Sequence, residues 1–212
     1  MMAALILTAG EGGRRATGTF LKQAFNLRLL GDKSWLFVTF GLAPLIYVLT
    51  WAVVQLAGGG HVPDIDIATT LLLFAMFLAL AVGEEVGWTG YATEPLQSRW
   101  GALGAALILA APWWLAHLPS MAAIGATVTD MAWWALGAVG VRILISWLFN
   151  KTRKSVLAAV IFHALLNTGR AATFPAVGSF HASRYQIASY LIIAVIVFIV
   201  VISSGARALR RP

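Results

Sequence analysis

Two adjacent glutamates, two histidines and an asparagine stand where the surrounding residues are almost all apolar. Glu84 and Glu85 follow the uncharged run 67–83, His117 ends the apolar stretch 102–118, and His163 and Asn167 lie within 155–172. An ionisable side chain deep in a bilayer costs roughly 2.5 kcal/mol or more, so these four groups and their amide neighbour call for a reason. The other six acidic residues, Glu11, Asp32, Asp64, Asp66, Glu94 and Asp130, read as loop or helix-end positions, and His61 and His181 as loop histidines. A carboxylate facing an imidazole can take a proton from water and later return it to a leaving amine. Burial raises a glutamate's pKa and suits it to that work near neutral pH. A second imidazole and an asparagine amide can donate to a developing oxyanion. Alternatively Glu84, His117 and His163 could hold a catalytic zinc with one position open to water. Both schemes end in hydrolysis of an amide bond, and the residues by themselves leave both open. The spacing is not that of the HExxH zinc proteases.

The elements that must position these groups are membrane helices. Of the 212 residues, 60% are hydrophobic and 11% charged, against about a quarter charged in a soluble domain. Runs near the roughly 20 residues needed to cross a bilayer recur along the chain. They are continuous rather than alternating, which disfavours a barrel, and helices satisfy every backbone group internally. The expectation is an all-α polytopic transmembrane bundle of about six spans. These are 35–57, 67–98 (helical beyond the apolar part), 102–118, 131–149, 155–172 and 185–203. The hairpin between the second and third turns near Arg99–Gly101. Glu84 lies 16 residues before Trp100 and His117 lies 17 after it, so antiparallel helices place the two at one depth. His163 and Asn167, four apart, share a helix face, roughly 13–20 Å in from Lys154.

Charge placement fixes an expected orientation. Arg14, Arg15, Lys22, Arg28, Lys33, Arg99, Lys151, Arg153, Lys154, Arg207, Arg210 and Arg211 all fall on one side if the spans alternate. That is the cytoplasmic side by the positive-inside rule. It puts the polar groups in the cytoplasmic half of a cell (cytoplasmic) membrane, with the bilayer and a peptide or protein substrate, which could itself be lipidated, as partners. The net charge of +7 is explained by these loops, so nucleic acid is not expected. There is no cysteine, which rules out thiolate metal sites and disulfides. The expected division is a basic cytoplasmic or interfacial segment 1–34, a membrane domain 35–203 and a basic cytoplasmic tail 204–212. Met1–Ala9 is apolar but too short to span, and reads as the remnant of a longer helix or as an interfacial segment.

Three segments carry a family resemblance. EEVGWTGYATEPLQSRW (Glu84–Trp100), PWWLAHLP (Pro112–Pro119) and NKTRKSVLAAVIFHALLN (Asn150–Asn167) resemble, in order, the three motifs of the CAAX-protease and bacteriocin-processing (CPBP) family, of the Ras-converting-enzyme type. The resemblance covers roughly residues 35–172. It implies an intramembrane endopeptidase in which Glu84 and His117 activate water while His163 and Asn167 stabilise the oxyanion, with Glu85 beside them. The second motif pairs an aromatic with a histidine, here Trp113 and His117. Members of the family are described both as metalloproteases and as enzymes using glutamate without metal. The first motif usually carries an arginine four residues after its second glutamate, where this chain has Thr89. Either Glu85 is then protonated or another cation reaches it, and Arg142 and Arg170 are the candidates by elimination. Arg142 is the one basic residue deep in a span and reads as a structural partner for a carboxylate or carbonyl. Trp113, Trp114, Trp133 and Trp134 read as packing or interface anchors.

Two other classes of function fit part of the pattern. Intramembrane Glu and His also serve proton relays in transporters, although no internal repeat of the kind transporters show is visible. An inactive scaffold or immunity protein of the same fold would tolerate Thr89.

Overall fold

A computed structural model describes residues 1–59, 64–173 and 180–208, with side chains through Ser204. His61, and Arg210 and Arg211 of the basic tail, lie outside the described residues, as does the side chain of Arg207.

The described chain is helical throughout. Helix α1 is Met2–Ala24, α2 Lys33–Leu56, α3 Ile67–Glu85, α4 Thr93–Ala123, α5 Val128–Lys151, α6 Val156–Thr173 and α7 Arg184–Ala208. A short 3₁₀ turn, Leu27–Leu30, precedes α2, and a π-helical segment, Val86–Ala92, joins α3 to α4. Polar residues set the starts: Asp32 caps α2 through the N–H groups of Ser34 and Trp35, and Asp66 caps α3 through that of Thr69. Thr127 and Asp130 form a reciprocal capping box on α5. These caps occupy donors that a helix start leaves without partners.

Five helical runs are long and apolar enough to cross a membrane: Lys33–Leu56, Ile67–Ala123, Val128–Lys151, Val156–Thr173 and Arg184–Ser204. The second has 57 residues and doubles back at Gly101, whose φ of 71° and ψ of 171° break the helix. A straight helix would put Glu84 and Trp113 about 43 Å apart at 1.5 Å per residue, yet their side chains are hydrogen-bonded. That run therefore supplies two of the six expected passes. The expected turn at Lys151–Lys154 is also present, closed by Arg153 and Lys154 in the left-handed region, with φ of 53° and 64°. Lys154 is paired there with Glu94. The third expected span is longer than its sequence implied. Helix α4 runs on past Pro119 to Ala123, because a proline so near the end removes only one internal hydrogen bond. The N-terminal segment is itself a helix, broken at Gly12 and Gly13. It packs on the π-helical segment: Tyr91 donates to Glu11 at 2.7 Å, and Phe20 meets the Tyr91 ring edge-on.

Helix α6 is the centre of the bundle and packs against α2, α3 and α5, while α7 closes over α2 and α5. Helices α5 and α6 are the most enclosed. Small residues permit these approaches, as in other membrane bundles. A Cβ at Gly137 would lie inside the Tyr190 ring, one at Gly140 against Ile193, and one at Gly169 inside the Tyr47 ring. Buried threonines cost little, because Thr39, Thr50, Thr152 and Thr168 each donate to the carbonyl four residues back. Gly137→Ala is expected to destabilise the detergent-solubilised protein by about 1–3 kcal/mol through overpacking. Gly41→Ala has open space within 4 Å and is expected to stabilise by about 0.5–1 kcal/mol. Thermal unfolding of the two variants beside the parent protein checks both signs.

Candidate active site

The site is built around one indole. Trp113 on α4 is 2% exposed. Its Nε1–H donates to Glu84 Oε2 at 2.6 Å. The imidazoles of His117 and His163 stand edge-on to its ring at centroid distances of 5.4 and 5.6 Å, and the Arg142 guanidinium lies 5.1 Å from its centroid. Three of the expected groups, from α3, α4 and α6, thus meet at one residue. Trp113 packs in the core, as its sequence reading expects, and in addition its indole nitrogen holds Glu84. The fall of Trp113 in the same motif as His117, one turn before it, was the available signal. The loop back at Gly101 brings α4 alongside the end of α3, as the equal-depth argument anticipated.

Glu84 and His117 are both half-buried. His117 Nδ1 is bonded to the Trp113 carbonyl at 2.8 Å, which fixes Nδ1 as the protonated nitrogen and leaves Nε2 as the basic one. Its ring also contacts Trp134 of α5 and Phe180, at 5.3 and 6.1 Å. The first glutamate is therefore reachable by water while held by a donor, and the histidine presents its free nitrogen from a fixed tautomer.

Glu85 lies differently. It is fully buried and accepts from Arg142 Nη2 at 2.6 Å and from the Thr89 hydroxyl at 2.5 Å on Oε2, while His163 Nδ1 is bonded to Oε1 at 2.9 Å. Arg142, on α5, is thus the cation that the first motif lacks at Thr89, and of the two candidates it is the one that reaches Glu85. A buried carboxylate with an arginine and an imidazole on its two oxygens is an ion pair with hydrogen bonds on both sides, the arrangement that offsets desolvation. Its effect on His163 is to fix the ring with Nδ1–H toward Glu85 and Nε2 toward the interior. Nε2 has no hydrogen-bond partner among the described residues.

Asn167, one turn along α6 from His163, is half-buried and its amide makes no hydrogen bond among the described residues. His163 and Asn167 line a cavity of about 30 Å³ together with Trp113, Trp134, Arg170 and Tyr47. They share a face, as their spacing requires.

The zinc alternative fares less well. Among the described residues no three His, Asp or Glu side chains are gathered to hold a metal ion. The Nδ1 bonds of His117 and His163 leave each Nε2 free, as in metal-ligating histidines, but Glu84, His117 and His163 are not brought together as a ligand group in this geometry.

Outside this centre, Asp130 was expected at a helix end. It is indeed the third residue of α5, and it also binds the segment before α7, accepting from Ala182 N–H at 2.6 Å and contacting His181 at 3.3 Å.

Comparison with known proteins agrees with the three motifs. The family model described as "Type II CAAX prenyl endopeptidase Rce1-like" matches residues 66–169, a range that contains Glu84, Glu85, His117, His163 and Asn167. A curated protein of Methanococcus maripaludis, CAAX prenyl protease 2, is 29% identical over 178 residues, which cover 76% of this chain and 65% of the relative. The chain thus spans just under two thirds of the length of that curated relative.

Proposed function

We propose that this multi-pass membrane protein is an intramembrane endopeptidase, a reading supported by the match of residues 66–169 to the Rce1-like CAAX prenyl endopeptidase family model and by the similarity to CAAX prenyl protease 2. It hydrolyses a peptide bond in a membrane-associated peptide, with its site opening to the cytoplasmic half of the cell membrane. The observation that carries the reading is the convergence of Glu84, His117 and His163 on the Trp113 indole. The orientation rests on the 12 basic residues on one side of the alternating spans.

The proposed sequence of events is short. Glu84, aided by His117 Nε2, removes a proton from a water as it attacks the scissile carbonyl carbon. The carbonyl oxygen takes up the negative charge and receives hydrogen bonds from the Asn167 amide and from His163. Donation from His163 Nε2 while Nδ1–H stays on Glu85 uses both ring N–H groups. Collapse of the tetrahedral intermediate returns the proton from Glu84 or His117 to the departing amine. The C–N bond breaks and water supplies the new carboxylate's oxygen. Trp113 orients Glu84, and Arg142 and Thr89 orient Glu85; none of the three handles the reacting atoms.

Thr89, the feature that favoured an inactive scaffold, loses that weight because Arg142 occupies the role. The reading is tested by incubating detergent-purified protein with a panel of quenched fluorescent peptides, prenylated and not, beside His117→Ala. Cleavage abolished in the variant is the expected result. Cleavage that His117→Ala leaves at the parent rate would remove His117 from the mechanism.

A further inference from the structure

His117 is held by more than its own helix. Its Nδ1 is tied to the Trp113 carbonyl at 2.8 Å, and three aromatic rings stand around its imidazole: Trp113 at 5.4 Å, Trp134 at 5.3 Å and Phe180 at 6.1 Å between centroids. The two tryptophans lie on α4 and α5 and come with the bundle. Phe180 belongs to the connection between α6 and α7, which has no helix face of its own to fix it. Its neighbours set its place instead. The ring meets Trp134 edge-on at 5.4 Å, and the Arg170 guanidinium of α6 stands 5.5 Å from its centroid, within the reach of a cation–π contact. The residues after it are tied to α5. Ala182 N–H donates to Asp130 Oδ1 at 2.6 Å, and His181 Nδ1 lies 3.3 Å from Asp130 Oδ2. Ser183 then caps α7 through the Gln186 N–H at 3.2 Å. The capping box at the start of α5 needs only one oxygen of Asp130, and Oδ2 serves it by accepting from the Thr127 N–H and hydroxyl at 2.7 Å each. Oδ1 is thus committed to the connection alone, as the acceptor of a charge-assisted bond. Asp130 also stands four residues before Trp134, so the two share a face of α5. That face carries both the carboxylate that holds the connection and a ring on which Phe180 packs.

We infer that Asp130 and Phe180 are positioning residues of the active site: the Asp130 carboxylate straps residues 180–182 to the start of α5 and so sets the Phe180 ring against the His117 imidazole. That His117 takes part in the reaction rests on the endopeptidase reading; the strap itself does not. The work of the ring is geometric. With Nδ1 bonded to a carbonyl and rings on three sides, the imidazole keeps one orientation, and Nε2 one direction. A reacting group misplaced by about 1 Å can lose on the order of 10²-fold in rate, so a looser ring costs turnover rather than peptide affinity. Asp130 thereby acts on the chemistry through two intermediaries, the connection and the Phe180 ring, without touching His117.

The test reads His117 both at rest and in turnover. Protein labelled with ¹³C at histidine Cε1 is studied by NMR in detergent, and His117→Gln identifies the His117 resonance. Phe180→Ala is expected to move that resonance, because it takes a ring from beside the imidazole. It is also expected to lower kcat on a cleaved peptide by about tenfold with KM within about twofold of the parent. Asp130→Ala leaves every ring in the sequence, yet is expected to move the same resonance and lower kcat likewise, and the double variant to add little to either change. Thr127→Ala is the control for the cap: it removes the capping hydroxyl but keeps the bond from Ala182 to Asp130. It is expected to unfold at a lower temperature while its His117 resonance and kcat stay at parent values. A His117 resonance unmoved in Asp130→Ala would overturn the strap, as would additive losses in the double variant or an equal fall of kcat in Thr127→Ala. Phe180→Ala changes no helix cap, so it decides the matter even where Asp130→Ala fails to fold: parent kcat in Phe180→Ala would overturn the proposal. Failure of the endopeptidase reading would look different, as His117 resonances that move in both variants of a protein that cleaves nothing in the panel.

Discussion

Glu84→Gln is expected to lower peptide cleavage by about 10²–10⁴-fold, the usual contribution of a positioned acid–base group, with little effect on folding. Glutamine keeps the carbonyl oxygen that accepts from Trp113 Nε1, a bond now 2.6 Å long, and the side chain is half-buried rather than sealed. What it loses is the ability to take a proton from water. Initial rates on a cleaved peptide, read beside thermal unfolding of the same preparations, separate the two effects. A variant that melts like the parent and does not cut is the expected result. One that cuts within threefold of the parent would mean that Glu84 is a structural acceptor for Trp113 and nothing more.

Arg142→Met is expected to be the most destabilising single change in the bundle. Both partners of the Arg142–Glu85 pair are essentially sealed, at 1% and 0% exposure. Removing the guanidinium leaves the Glu85 carboxylate with only Thr89 and His163, and breaking one side of a buried ion pair typically costs about 3–5 kcal/mol. The effect should be strongly non-additive. Arg142→Met with Glu85→Gln removes both charges and should recover much of the lost stability. Arg142→Met with Thr89→Arg moves the guanidinium to the neighbouring position, since Thr89 already touches the same Glu85 oxygen and lies 3.3 Å from Arg142 Nη2. That double variant should recover stability and, by restoring the His163 tautomer, cleavage as well. Thermal unfolding and cleavage rates of the four proteins give the coupling. Additive losses in the double variants would show that Arg142 acts through packing against Trp113 instead.

The passes were legible because length and continuity of apolar residues identify them without reference to neighbours. The turns at Gly101 and at Lys151–Lys154 were legible for a similar reason: polar and glycine residues interrupt otherwise apolar runs. Depth along the helix followed from rise per residue, so Glu84 and His117 could be set at one level. Rotation about the helix axis was not legible. In a membrane the core and the lipid are both apolar, so hydrophobicity does not tell which face of α4 or α5 points inward. That is why Arg142 and Arg170 could be named as candidates only by elimination, until the structure showed that Arg142 reaches Glu85. The π-helical segment Val86–Ala92 has no signature in the apolar pattern, yet it changes the register of Trp88 and Thr89 relative to an α-helix, and the Thr93 hydroxyl donates to the carbonyl of Trp88. The packing of the N-terminal helix on that segment, through Glu11 and Phe20, likewise depends on a contact between distant parts of the chain.

The most direct test of the central claim, that a Glu84-activated water cuts a peptide bond within this bundle, is cleavage in ¹⁸O-labelled water. The purified protein is reconstituted in vesicles with a peptide that the fluorescent panel identifies, and the fragments are weighed by mass spectrometry. The account predicts two fragments whose masses sum to the peptide plus one water, one ¹⁸O in the new C-terminal carboxylate, and no fragments from Glu84→Gln. Fragments that form at the parent rate in Glu84→Gln, or that carry no label, would contradict it.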